Sequence, residues 1–215
     1  DIHRACVHVL RTRIRLGQLD RTEFDDIPYT AVSTEEHKQA SLECALRSAV
    51  LLENDGLLPL SDSVKTIAVI GPNADSRDAL TGNYNGTADQ YVTFLEGIRE
   101  RFSGRILYSQ GCHLYKDRTQ GLAQPGDLYS EALAAAENSD VIVACVGLDA
   151  TLEGEEGDTG NEFSSGDKND LRLPESQRTL LQKLSALGKP LVIVLAAGSS
   201  VNVEVECNAL LDMWY

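Results

Sequence analysis

Val141-Ile142-Val143-Ala144-Cys145-Val146 is an unbroken apolar run without alternation, and Gly147 ends it. Such a run is the signature of a strand buried on both faces, as in a parallel sheet covered by helices. Leu191-Val192-Ile193-Val194-Leu195 has the same character. Thr66–Ile70 is a shorter, β-branched version that stops at Gly71-Pro72-Asn73, Arg105–Ser109 is a weaker one, and residues 209–215 open a fifth. Helical spacing fills the intervals. Leu95, Ile98 and Phe102 recur at it, residues 128–138 carry it, and after Pro174 it returns in Leu180, Leu181, Leu184 and Leu187 with Gly188 as the stop. Strands alternating with helices predict parallel βα units, so the expected fold class is α/β: a mostly parallel sheet with helices on both faces.

Upstream of Pro59 the pattern differs. Val7, Leu10 and Ile14 predict a helix stopped at Gly17, followed by an irregular stretch through Asp25-Asp26-Ile27-Pro28. Ser33-Thr34-Glu35-Glu36 reads as a capping box opening a second helix. Its apolar stripe would be Leu42, Ala45, Leu46, Ala49 and Val50, and Asn54-Asp55-Gly56 would close it. Two helices without strands look like the tail of a preceding domain. The expected organisation is residues 1–30 as the last helix and exit of an upstream domain, 31–60 as a helical linker, and 61–215 as the α/β domain. Residues 209–215 would then lie beside a missing strand, truncated at the C-terminus, with Leu210, Leu211 and Trp214 near an open edge.

Composition narrows the function. Nineteen Lys and Arg against 33 Asp and Glu give a net charge of −14 over 215 residues, which argues against nucleic acid and anionic membrane surfaces. No apolar run approaches the roughly 20 residues of a bilayer span, and Asp1-Ile2-His3-Arg4 leads into an Arg-rich helix rather than an apolar leader. Cys6, Cys44, Cys112, Cys145 and Cys207 are odd in number and scattered, without zinc spacing. They read as buried reduced thiols, which favours a cytoplasmic compartment and leaves periplasm and secretion open.

Residues 147–173 form a connection too long for an ordinary βα loop, and they leave the carboxyl end of a buried strand, where open parallel sheets place ligands. The segment carries Asp149, Glu153, Glu155, Glu156, Asp158, Glu162, Asp167 and Asp170 against only Lys168 and Arg172. An EF-hand spacing from Asp158 fails because Gly160 stands at the third position. Gly71-Pro72-Asn73-Ala74-Asp75 is neither a dinucleotide fingerprint nor a Walker loop, and Pro72 removes a donor that a phosphate would use. No nucleophile elbow occurs. Composition alone favours a solvated acidic loop. The chemistry such carboxylates suit is glycosidic hydrolysis, in which one group protonates the leaving oxygen and a second carboxylate stands opposite.

Several motifs stand in a telling order: Arg15-Leu16-Gly17-Gln18-Leu19-Asp20; Val50-Leu51-Leu52-Glu53-Asn54-Asp55-Gly56 with Leu58-Pro59-Leu60; Ile67 to Ala74; Gly147-Leu148-Asp149 with Glu153; and Leu173-Pro174 with Gln177. Their order and spacing together resemble glycoside hydrolase family 3. Gly82-Asn83-Tyr84 and Gln110-Gly111-Cys112 are similar to the branch holding β-xylosidases and arabinofuranosidases. The resemblance implies a six-stranded α/β sandwich behind an N-terminal barrel, and a retaining exo-hydrolase of terminal β-linked sugars such as xylose or glucose. It implies a catalytic Asp in the barrel, which this chain lacks apart from a final helix. The general acid/base would come from the loop after Gly147: Glu153 by spacing, with Glu155 as close rival and Glu156 behind it. Asp149, Glu156 and Asp158 would contact substrate, Asp149 chiefly by orienting the loop. Thr159 stands where the family usually has an Arg, and it begins an insertion through Gly166. Crowded carboxylates would hold the acid's proton to higher pH. No cofactor or metal is implied, and the partners would be an oligosaccharide and the missing barrel. The alternatives are a noncatalytic carbohydrate-binding or scaffold domain, or a nucleotide- or metal-binding α/β domain.

Overall fold

A computed structural model describes residues 1–82, 85–115, 122, 124, 126–153 and 168–214. The chain divides into two compact units, Asp1–Cys44 and Ala45–Tyr215. In the first, α1 (Ile2–Arg15) ends before Gly17, whose φ of 72° suits a glycine. α2 (Glu35–Ser48) begins in this unit. No residue of either helix is buried, and Leu10 and Ile14 remain half exposed.

The start of α2 departs from the predicted capping box. Ser33 sits at φ 55°, and the reciprocal pair is Thr34 with His37. The His37 amide donates to Thr34 Oγ1, and the Thr34 amide donates to His37 Nδ1, both at 3.4 Å. The imidazole thus takes the place expected for the Glu36 carboxylate.

The second unit holds a six-stranded sheet in the order β1-β6-β5-β4-β2-β3. Its strands are β1 (Val50–Asn54), β2 (Thr66–Ile70), β3 (Arg105–Ser109), β4 (Val141–Gly147), β5 (Leu191–Ala196) and β6 (Ala209–Asp212). All neighbours are parallel except β1 with β6. The α/β expectation stands, and all five predicted strands are present.

Two expectations are corrected. Helical spacing carries α2 through Val50 to a cap at Asn54, whereas α2 stops at Ser48 and residues 50–54 are β1. Leu and Val satisfy either period, and pairing with β6 decides between them. Asn54 caps a turn after that strand instead, its Oδ1 accepting from the Gly56 and Leu58 amides. Residues 209–212 are also not an open edge. β6 lies between β5 and β1, with Leu210 buried and the Trp214 indole N–H donating to the Ser48 carbonyl. The sheet edges are β1 and β3.

Alternate residues of the strands build two cores. Ala68, Ile70, Ile142, Ala144, Val146, Leu191 and Ile193 face α4 (Asp127–Glu137) and α5 (Glu175–Ser185), which supply Ala132, Ala136, Leu180, Leu181 and Leu184. Ile67, Val69, Val141, Val143, Cys145 and Val192 face α3 (Phe94–Arg101) through Leu95 and Ile98, beside Leu57, Leu58 and Leu60. Right-handed crossovers account for this division. The step from β2 out to β3 runs opposite to the steps from β3 to β4 and from β4 to β5, so α3 falls on one face and α4 and α5 on the other.

The thiols follow this packing rather than a uniform rule. Cys112 and Cys145 are buried, and desolvation pushes both up to about 12. Cys6 and Cys44 are exposed and Cys207 is half-buried, against the expectation that all five are buried thiols.

At the base of the sheet one carboxylate ties two strands. Asp140 Oδ2 accepts from the Lys65 and Thr66 amides, each at 2.8 Å, and these bonds hold its carboxyl below the usual carboxylate range. A folded pKa below the unfolded value of about 3.9 stabilises the fold above that pH, and the contribution is lost as pH falls through the folded value. Asp140→Asn should therefore lower the melting temperature at pH 7 and match the parent chain near pH 2. A difference equally large at both pH values would show that the charge contributes nothing.

Candidate active site

The reversal of strand order between β2 and β4 sets the site. The chain runs from β2 outward to β3 and then returns past β2 to β4. The loops leaving the carboxyl ends of β2 and β4 consequently lead to helices on opposite faces, the arrangement beside which open parallel sheets bind ligands.

Both loops begin with a glycine that the backbone geometry demands. Gly71 has φ 134°, and a Cβ there would stand 1.9 Å from the Cys145 carbonyl oxygen. Gly147 has φ 145°, and its Cβ would stand 1.8 Å from the Ala196 oxygen. After Gly71, Asn73 is buried, with Nδ2 donating to the Leu148 carbonyl at 2.9 Å. Asp75 accepts from the Thr93 hydroxyl at 2.8 Å, and Thr93 forms a capping box with Glu96 at the head of α3.

After Gly147, Leu148 is buried and Asp149 is only 6% exposed. Asp149 Oδ1 accepts from the Thr151 amide at 2.9 Å and from its hydroxyl at 2.6 Å. The Asp149 carbonyl accepts from the Leu152 and Glu153 amides, both at 3.0 Å. Asp149 thus caps a single helical turn, and this engages its Oδ1 within the turn. Leu152 closes the turn by inserting into the core beside α5, where it is 1% exposed. Glu153 follows immediately, and its Oε1 accepts from the Ser199 hydroxyl in the loop after β5.

Glu153 is therefore held from two loops at the carboxyl end of the sheet. A carboxylate fixed in this way can give a proton to a leaving oxygen or take one from water. Glu155, Glu156 and Asp158 lie outside the described residues, and so do the like charges invoked to hold the acid's proton. The far end of the connection is pinned as well. The Asn202 amide donates to the Leu171 carbonyl at 2.7 Å, and Leu173 is buried.

Three residues escaped the sequence reading. Ser199 carries a signal, since Gly198-Ser199-Ser200 directly follows a buried strand adjacent to β4. Asn73 enters the sequence reading within Gly71-Pro72-Asn73 and the Ile67 to Ala74 motif, and Gln177 within the motif after Leu173-Pro174, neither with a role of its own. No spacing rule marks a neutral amide as structural.

Residues 49–215 match the family model described as the glycosyl hydrolase family 3 C-terminal domain. A probable exo-1,4-beta-xylosidase xlnD of Aspergillus terreus is 34% identical over 204 residues, which is 94% of this chain and 24% of that protein. Among solved structures, the family 3 exo-beta-xylosidase XlnD bound to a xylobiose aziridine probe superposes with a TM-score of 0.73 at 31% identity. The match covers 91% of this chain and 24% of that one. A β-glucosidase from Erythrobacter marinus gives a TM-score of 0.71 at 33% identity, covering 85% and 27%. The chain thus spans about a quarter of the length of the curated relatives it matches. With a matching family model over most of its length and solved structures of that family superposing on it, the chain belongs to glycosyl hydrolase family 3, of which residues 49–215 form the C-terminal domain.

Proposed function

We propose that this chain is the acid/base-bearing part of a longer retaining exo-glycosidase that removes terminal β-linked xylose, or glucose, from oligosaccharides. The observation that carries the reading is Glu153, presented by the Asp149-capped turn and held by Ser199 at the carboxyl end of the sheet. The names of the relatives, exo-1,4-beta-xylosidases first, favour xylose. Glu153 protonates the departing glycosidic oxygen while a carboxylate of a preceding barrel domain attacks the anomeric carbon. Glu153 then takes a proton from the water that releases the sugar. In such pairs the carboxyl groups stand about 5–5.5 Å apart. Glu155 is the rival for the role, and Glu156 and Asp158 are the proposed sugar contacts beside it.

The division of labour is testable. The purified chain alone should not turn over nitrophenyl β-xyloside or β-glucoside, because the attacking carboxylate is elsewhere. The longer polypeptide encoded by the gene upstream of Asp1 through this chain should hydrolyse one of them. Steady hydrolysis by the chain alone, or a longer product inert on both, would overturn the reading.

A further inference from the structure

The two residues from which the Glu153 loop departs have no backbone polar group left over. The Gly147 amide donates to Gln177 Oε1 at 2.7 Å, and the Gly147 carbonyl accepts from Gln177 Nε2 at 2.7 Å. The Leu148 amide donates to the Ala196 carbonyl at 2.7 Å, and the Leu148 carbonyl accepts from Asn73 Nδ2 at 2.9 Å. Four groups meet four partners, drawn from α5, β5 and the loop after β2. Gln177 is fully buried and spends its second amide proton on the Leu114 carbonyl at 2.7 Å, which brings in the segment after β3. Asn73 is 1% exposed, and its amide nitrogen makes the one bond that reaches the loop.

Burying two primary amides is costly unless their bonds are made, and an apolar core of the same volume would avoid that cost. What these amides provide is direction. They fix the peptide plane at which the chain stops being strand and begins the turn carrying Glu153. From Leu148 the path is short and stiff: Asp149 caps the turn, Leu152 is locked in the core, and Glu153 is next. Any rotation at Gly147–Leu148 would be carried to the Glu153 carboxyl.

We infer that Gln177 and Asn73 are positioning residues for Glu153, acting through Gly147 and Leu148; this rests on the acid/base role proposed above. Neither touches substrate. Their effect is to hold the carboxyl on line with the glycosidic oxygen, and a misplacement of about 1 Å can cost on the order of 10²-fold in rate.

The test uses the longer hydrolase, with xylobiose (a poor leaving group) and dinitrophenyl β-xyloside (an activated one). Gln177→Met keeps the volume and removes all three bonds. It should lower kcat/KM on xylobiose by about 10- to 100-fold and on the dinitrophenyl substrate by less than about threefold. A merely structural role reduces both equally, by reducing the number of folded molecules. Should Gln177→Met fail to fold, Asn73→Ser carries the same test, since it leaves the Gln177 bonds intact and withdraws only the donor to Leu148. Equal losses on both substrates, or no loss on either, overturn the inference. Glu153→Ala measured in parallel separates the two failures. Leaving-group dependence in Glu153→Ala with equal losses in the positioning variants removes only the positioning role, whereas its absence in Glu153→Ala removes the acid/base assignment itself.

Discussion

Replacing Glu153 by alanine in the longer hydrolase proposed above should lower kcat/KM on xylobiose by about 10²–10⁴-fold while sparing substrates whose leaving groups need no proton. The first chemical step expels the leaving oxygen. An alkoxide leaves badly without protonation, whereas dinitrophenolate leaves readily, so only the former reports the loss of the acid. The second step needs a base for water, and it becomes limiting on the activated substrate, which should show a burst of dinitrophenolate followed by slow turnover. Azide attacks the glycosyl-enzyme without base assistance and should restore turnover, releasing a β-glycosyl azide. The position of Glu153 favours this outcome, since its turn is capped by Asp149 and anchored by buried Leu152. If Glu153→Ala keeps near-normal rates on xylobiose and Glu155→Ala shows the burst and the rescue instead, the role moves two residues along the loop.

The largest expected loss of stability lies at Gly147. Its φ of 145° is open to glycine alone, and an added Cβ would meet the Ala196 oxygen at 1.8 Å and the Ala196 nitrogen at 2.8 Å. Neither atom can yield, because Ala196 is paired with Gly147 in the sheet and its oxygen also accepts from the Leu148 amide. Backbone strain and a clash with a neighbouring strand together should cost more than about 4 kcal/mol. For a domain of this size that lowers the melting temperature by roughly 8–16 °C. Gly188→Ala is the control. That residue also has positive φ, at 65°, but nothing lies within 4 Å of its Cβ position, so the cost there is about 1–2 kcal/mol. Thermal unfolding of the two variants side by side decides the matter, and a Gly147→Ala melting point no lower than that of Gly188→Ala would refute the steric argument.

How far the fold could be read in advance depended on how many physical signals agreed at each place. β4 and β5 carry unbroken apolar runs, α5 begins after Pro174 and ends before Gly188, and both cores fall where the strand residues alternate. β1 was misassigned because residues 45–52 serve a helix or a strand equally, and the deciding partner, β6, lies at the other end of the chain. The Thr34–His37 cap was missed because Ser33 occupies the left-handed region, which no spacing rule anticipates. At the site, the proposal of Glu153 rests on the long connection leaving a buried strand and on the family resemblance. Ser199, Asn73 and Gln177 were not legible in the sequence. Their importance lies in which backbone atoms they meet, and a neutral side chain announces that neither by charge nor by period.

The antiparallel union of β1 with β6 also bears on the order in which this domain can assemble. Val50 pairs with Asp212, so the first strand of this sheet to be synthesised waits roughly 160 residues for the partner that completes its side of the sheet. Throughout that interval Val50-Leu51-Leu52 is an apolar segment with free backbone groups, open to capture by a neighbouring nascent chain. The parallel centre, β2 with β4 and β5, can form beforehand, but the sheet stays unsealed on that side until translation has passed residue 212. Synthesis that stalls anywhere between β5 and β6 would yield a chain that retains its core and aggregates through β1.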